Sequence, residues 1–184
     1  MRTQNTLWIE LEERFGLKPT TISGLLDESN DWARVIKVHA VIEAALNVRL
    51  ISRFPELRRI VTELPLDDGR YGKLKLLNEV RWISESELRF VRAIKDLRNK
   101  LVHDVTYLDF SLDEDTKRWP SSRAAFDETI YDFWNTSTKG PEEEATGDWE
   151  PGHIQFLLFS ATFRFLYDSD ELVRAHSRQT QPPA

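Results

Sequence analysis

The chain of 184 residues contains no cysteine. That absence excludes disulfides, a thiol nucleophile and thiolate-ligated metal sites. Glycine is scarce, at 7 residues, and no run of alternating β-branched residues stands out, which argues against a sheet. No apolar run approaches the ~20 residues that a bilayer-spanning helix needs. The first twelve residues lack the basic-then-apolar order of a secretory leader, so the expected location is cytoplasmic, with no membrane contact. Basic charge is also short: 25 Lys and Arg against 31 Asp and Glu give a net charge of −6. A protein that coats long nucleic acid usually carries a basic excess, so nucleic-acid contact here would have to be local. The chain has no glycine-rich phosphate loop and no nucleophile elbow. No metal and no cofactor is expected.

Hydrophobic residues make up 40%, including 10 Phe and 6 Trp, enough for the core of one domain. The periodicity predicts helices nearly throughout. A first helix over Thr6–Phe15 carries Leu7, Leu11 and Phe15 on one stripe and stops at Gly16 and Pro19. A short one follows over Thr20–Leu26. Asn30 is a suitable N-cap for a long helix to Phe54, and Pro55 opens another to Leu64. Past a polar loop over Pro65–Tyr71, a short helix is expected over Gly72–Trp82. Ser84 and Glu87 form a capping box for a helix reaching Asp104. Helices over Pro120–Trp134 and Pro151–Ala175 flank a loop, Thr136–Gly152, whose run Glu142-Glu143-Glu144 is most simply a solvated surface.

The helix before Asp104 carries the most informative stretch, Arg98-Asn99-Lys100-Leu101-Val102-His103. At ~100° per residue, Phe90, Ile94, Leu97 and Leu101 share one stripe, the expected core face. Asn99 and His103 lie opposite it, with Arg92 and Lys95 nearby. Arg98 falls between, roughly 140° from His103, on a flank shared with Val91 and Val102. A helix that buries one stripe and offers a second, mixed stripe suits a partner surface, and a two-fold axis there would unite two Arg98–His103 pairs. These residues suit cleavage of RNA without a metal ion. A histidine moves protons near neutral pH. An arginine forks onto a phosphate and stabilises charge that builds there. Asn99, one turn before His103, can orient the imidazole or the phosphate. Arg92 and Lys95 are candidate accessory RNA contacts.

Leu97-Arg98-Asn99-Lys100-Leu101-Val102-His103 resembles the Arg-polar-x(3–5)-His motif of HEPN domains. The resemblance implies an all-α, antiparallel helical bundle, homodimeric, in which Arg98, Asn99 and His103 form a composite cleft at the interface. Many such domains are metal-independent endoribonucleases of toxin–antitoxin, phage-defence and CRISPR systems, which implies an RNA substrate and an antitoxin or other regulatory protein partner. The layout before the motif, a long helix with His39-Ala40-Val41-Ile42-Glu43 and then a short amphipathic helix, is similar to the mannitol-operon-repressor-like branch. That branch implies the alternative: a non-catalytic transcriptional regulator acting through protein contacts. The chain then reads as one domain over 1–184, with a HEPN-like core over about 28–106. Additional C-terminal helices over about 108–176 and a disordered tail over 177–184 complete it.

Three further groups stand out. His39 and Glu43 fall inside an apolar stripe formed by Trp32, Ile36, Leu46, Leu50 and Phe54, where isolated charges are costly. Either Glu43 holds Arg98 and His39 supports the cleft, or the two satisfy each other. Arg49, Arg53, Arg58 and Arg59 cluster around Pro55, as a phosphate grip or, more simply, as a solvated face offset by Glu56 and Glu63. His153 near Asp148 and Glu150 matches no standard metal-ligand spacing.

Overall fold

The computed structural model describes residues 4–68, 70–113, 123–135 and 153–180. Among them the chain is all-α. The helices are α1 (Gln4–Arg14), α2 (Thr21–Leu26), α3 (Asp31–Arg53), α4 (Arg58–Glu63), α5 (Lys73–Glu79), α6 (Glu85–His103), α7 (Arg123–Asn135) and α8 (His153–Thr180). Short 3-10 turns sit at Pro55–Leu57 and Val105–Tyr107.

Two caps set the frame. The Asn30 side chain accepts from Ala33 N at 2.8 Å and starts α3. The Ser84 hydroxyl accepts from Glu87 N while the Glu87 carboxylate accepts from Ser84 N at 2.7 Å, the reciprocal box expected for α6. α2 begins on Thr20 in a left-handed conformation with no side-chain cap. Buried Glu12 of α1 takes over that task, accepting from Thr20 N and Ile22 N.

α3 and α6 run antiparallel. Trp32 at the start of α3 donates its indole N–H to the Leu101 carbonyl near the end of α6, 3.2 Å away. At the other end Arg49 bonds to Glu87. α8 lies parallel to α3, with Gln155 on Asp31 at 3.2 Å and Ser169 on Arg49 at 2.8 Å. The expected stripe of Phe90, Ile94, Leu97 and Leu101 is buried throughout. Phe90 stacks on Phe133 of α7, centroids 4.6 Å apart, and Phe165 of α8 lies against both rings. α7 and α8 therefore complete the same core that α3 and α6 begin. α1 joins from outside, with Trp8 edge-on to Phe159 and Phe163.

Several details differ from the sequence reading. The helix after Pro55 splits into a 3-10 turn and α4, because Pro55 tightens the first turn. α5 ends at Glu79, short of Trp82, since Arg81 turns left-handed at φ 56°. α8 continues through Thr180, five residues past Ala175, so Ser177–Thr180 are helical rather than part of a tail. No proline or glycine interrupts there, and the Ser177 hydroxyl bonds back to the Val173 carbonyl at 3.0 Å. Residues 181–184, the loop with Glu142–Glu144, and Asp148, Glu150 and the His153 side chain lie outside the described residues. No helix among the described residues is long and apolar enough to cross a membrane.

Candidate functional site

Gly72 is where the site's geometry starts. It sits at φ +136°, and a Cβ there would meet the Pro65 carbonyl oxygen at 2.9 Å. Only glycine lets the start of α5 press so closely on the preceding loop, where Lys73 N and Leu74 N bond to the carbonyls of Pro65 and Leu66 at 3.0 Å. That contact drives Lys73 inward. Its side chain is 1% exposed and its ammonium bonds to the Glu43 carboxylate, which keeps 35% of its side-chain surface in solvent. Among the described residues Glu43 therefore pairs with Lys73, not with His39 or Arg98. Neither reading of Glu43 anticipated this partner, a lysine from a third helix. Nothing in the sequence flagged Lys73, since lysine beside leucines in Lys73-Leu74-Lys75-Leu76-Leu77 looks like the polar face of a short amphipathic helix.

His39, one turn before Glu43 on α3, is half-buried. Burial is the main force lowering its proton affinity below the usual value of 6.5; Glu43 opposes this, and the charges of Arg98 and Lys73 add to it. Structure thus gathers His39, Glu43, Arg98 and Lys73 from α3, α6 and α5. The buried face of α3 centres on Val38, Ile42, Ala45 and Arg49, with Leu46 and Leu50 also enclosed, so His39 and Glu43 occupy its border rather than its centre.

On α6, Arg98 is half-buried and donates to the Asn99 side-chain oxygen at 3.1 Å. His103 is the last helical residue and is exposed, and helical geometry holds it roughly 140° around the axis from Arg98. Asp104 leaves the helix, and its carboxylate accepts from Thr106 N and the Thr106 hydroxyl, capping the 3-10 turn. These two bonds hold the Asp104 carboxyl below its ordinary range. The chain around His103 exposes apolar surface: Val102 is 42%, Val105 79% and Leu108 61% exposed. Val91, expected beside Val102 on an open flank, is instead buried.

The accessory cations are engaged. Arg92 pairs with Asp67 at 3.0 Å, and Lys95 lies 3.5 Å from Asp96. The arginine cluster near Pro55 divides. Arg59 is exposed beside Glu63 at 3.6 Å, as a solvated face requires, but Arg49 is 1% exposed. Its guanidinium bonds to Ser169, the Trp82 carbonyl and Glu87, and it lies 4.7 Å from the Phe165 ring centroid. Arg49 follows Val38, Ile42 and Ala45 at core spacing, a signal that was legible. Burial would raise Glu87, yet the charge and hydrogen bond of Arg49, with the Ser84 bonds, hold it below its ordinary value.

A cleft of about 320 Å³ opens over this pair, lined in part by Arg81, Arg164 and Asp168. Arg164 is committed to Asp168 and to the carbonyls of Phe133 and Trp134 at the end of α7, so the cleft's inner cations serve the fold. Among the described residues no group of three or more His, Cys, Asp or Glu could hold a metal ion.

Comparison with protein-family models, curated proteins and solved structures finds no match.

Proposed function

We propose that the chain is a HEPN-like, metal-independent endoribonuclease that acts as a homodimer, with a toxin or phage-defence role and an antitoxin or regulatory protein as its restraint. Arg98 binds and neutralises the scissile phosphate, His103 moves a proton, and Asn99 orients the Arg98 guanidinium. The 2′-oxygen attacks phosphorus and the 5′-oxygen leaves, giving a 2′,3′-cyclic phosphate and a 5′-hydroxyl.

The observation that carries this reading is the end of α6. A half-buried arginine bonded to its neighbouring asparagine, and an exposed histidine followed by the exposed apolar Val105 and Leu108, lie between Arg98 and Leu108. Arg98 and His103 lie roughly 140° apart around one helix axis, so a second protomer completes the site in this reading. The apolar surface around His103 supports that association.

The test is RNA cleavage in EDTA by wild type and by His103→Ala. Loss of about 10²–10⁴-fold in rate is expected for the variant. Absence of cleavage by wild type, or cleavage indifferent to His103→Ala, removes the reading. A second reading, a mannitol-repressor-like regulator working through protein contacts, is favoured by the pairing of Arg92 and Lys95 with Asp67 and Asp96. It predicts no cleavage with the dimer intact.

A further inference from the structure

His39 lies on the part of α3 that meets α5 and α6. α3 and α6 are antiparallel and pinned twice, by Trp32 on the Leu101 carbonyl and by Arg49 on Glu87. Counting inward from either pin, His39 and Arg98 fall within about one helical turn of each other along the shared axis. A long side chain on a helix leans toward the N-terminus of that helix, and for Arg98 that is toward the level of His39. The nearby charges are Glu43 from α3, Arg98 from α6 and Lys73 from α5. Lys73, itself buried, holds the half-buried Glu43 in an ion pair, so Glu43 is a held anion one turn from the imidazole. His103, by contrast, is on another side of α6 from Arg98. Within one protomer the imidazole accompanying the Arg98 guanidinium is therefore His39.

The geometry points to His39 as the general base of RNA cleavage, taking the 2′-hydroxyl proton while Arg98 of the same protomer holds the scissile phosphate. This assignment rests on the endoribonuclease reading. In the step, the 2′-oxygen forms a bond to phosphorus and the bond from phosphorus to the 5′-oxygen breaks. The 2′-proton passes to a ring nitrogen of His39, and the leaving 5′-oxygen takes a proton from His103. Burial and the two neighbouring cations keep His39 in the neutral form that a base requires. Glu43 is a positioning residue whose charge favours the imidazolium as it forms.

A short RNA with one cleavable linkage tests the division of labour, made with either a 5′-oxygen or a 5′-sulfur leaving group. A thiolate departs without a proton, so it relieves loss of the acid but not of the base. His39→Gln is expected to slow single-turnover cleavage of both substrates by about 10²–10⁴-fold and to remove the acidic limb of the pH–rate profile. His103→Ala is expected to regain most of its rate on the 5′-sulfur substrate. Both variants should bind an all-2′-deoxy oligonucleotide within about twofold of wild type. Wild-type rate in His39→Gln, rescue of that variant by sulfur, or loss of oligonucleotide binding each overturns the base assignment and leaves the endoribonuclease reading standing. Inactive wild type overturns both.

Discussion

The two ends of the α3–α6 pair use charge in opposite ways. At the start of α6, Arg49 and Glu87 are buried, and the guanidinium is shared among a hydroxyl, a carbonyl and a carboxylate. The pair is buried beneath a cleft and joined to α8 through Ser169. Toward the other end, His39, Glu43, Arg98 and Asn99 are half-buried, and His103 is exposed. The first arrangement resists change, because removing one partner strands a charge in a medium that solvates it poorly. The second keeps polar groups fixed on one side and open on the other, which is what binding or catalysis needs. Counting basic residues does not separate the two. Burial and the number of committed donors do.

The largest effect expected from breaking this contrast is at the closed end. Arg49→Ala should cost about 3–5 kcal/mol, because Glu87 then lies buried without its cation. Denaturant unfolding measures this, and a cost below about 1 kcal/mol would mean that the cluster is hydrated. Since Glu87 is held below its ordinary value, its contribution is present above about pH 4.5 and fades as pH falls further. The variant should show a shallower acid limb of stability.

Next in size is Glu43→Gln, which leaves the Lys73 ammonium with a neutral partner. A cost of about 1–3 kcal/mol is expected, together with slower RNA cleavage if Glu43 supports the imidazolium. Lower stability with unchanged cleavage would make the Glu43–Lys73 pair purely structural. Ser84→Ala removes half of the capping box and should cost about 1 kcal/mol in a thermal melt, with no effect on oligonucleotide binding.

The smallest effect lies in the pH dependence at the open end. His39 binds its proton less tightly when folded, so between 6.5 and its lower folded value the unfolded chain holds more protons. Stability then falls as pH drops from about 6.5. Comparing melting points at pH 7.5 and 5.5, His39→Gln should flatten the decline. An equal decline in the variant assigns it to other groups.

Much of the frame was legible along the chain. Asn30, Ser84 and Glu87 announce their helices because capping is a contact within four residues. Phe90, Ile94, Leu97 and Leu101 announce their face because a helix repeats regularly. What failed was decided by distant neighbours. The helical projection puts Val91 on an open flank, but it is buried. Arg49 sits in sequence among surface arginines although its spacing matches the core, and an arginine on a core stripe is stable only where acceptors surround it. Its acceptors come from Trp82, Glu87 and Ser169, far along the chain. The partner of Glu43 was equally hidden, since Lys73 turns inward only because Gly72 lets α5 sit against the Pro65 carbonyl.

Local order by itself determined that this protein is helical, where its main helices begin, and that Arg98, Asn99 and His103 share one helix end with Arg98 and His103 on different sides of it. Those properties follow from backbone geometry and contacts a few residues apart. Only the tertiary structure decided which charges are enclosed and which stay half-open. It brought His39 to the level of Arg98, gave Glu43 to Lys73, and left the apolar Val102, Val105 and Leu108 exposed in the chain next to His103. Burial and pairing depend on segments tens of residues away, and the periodicity of one helix carries no record of them.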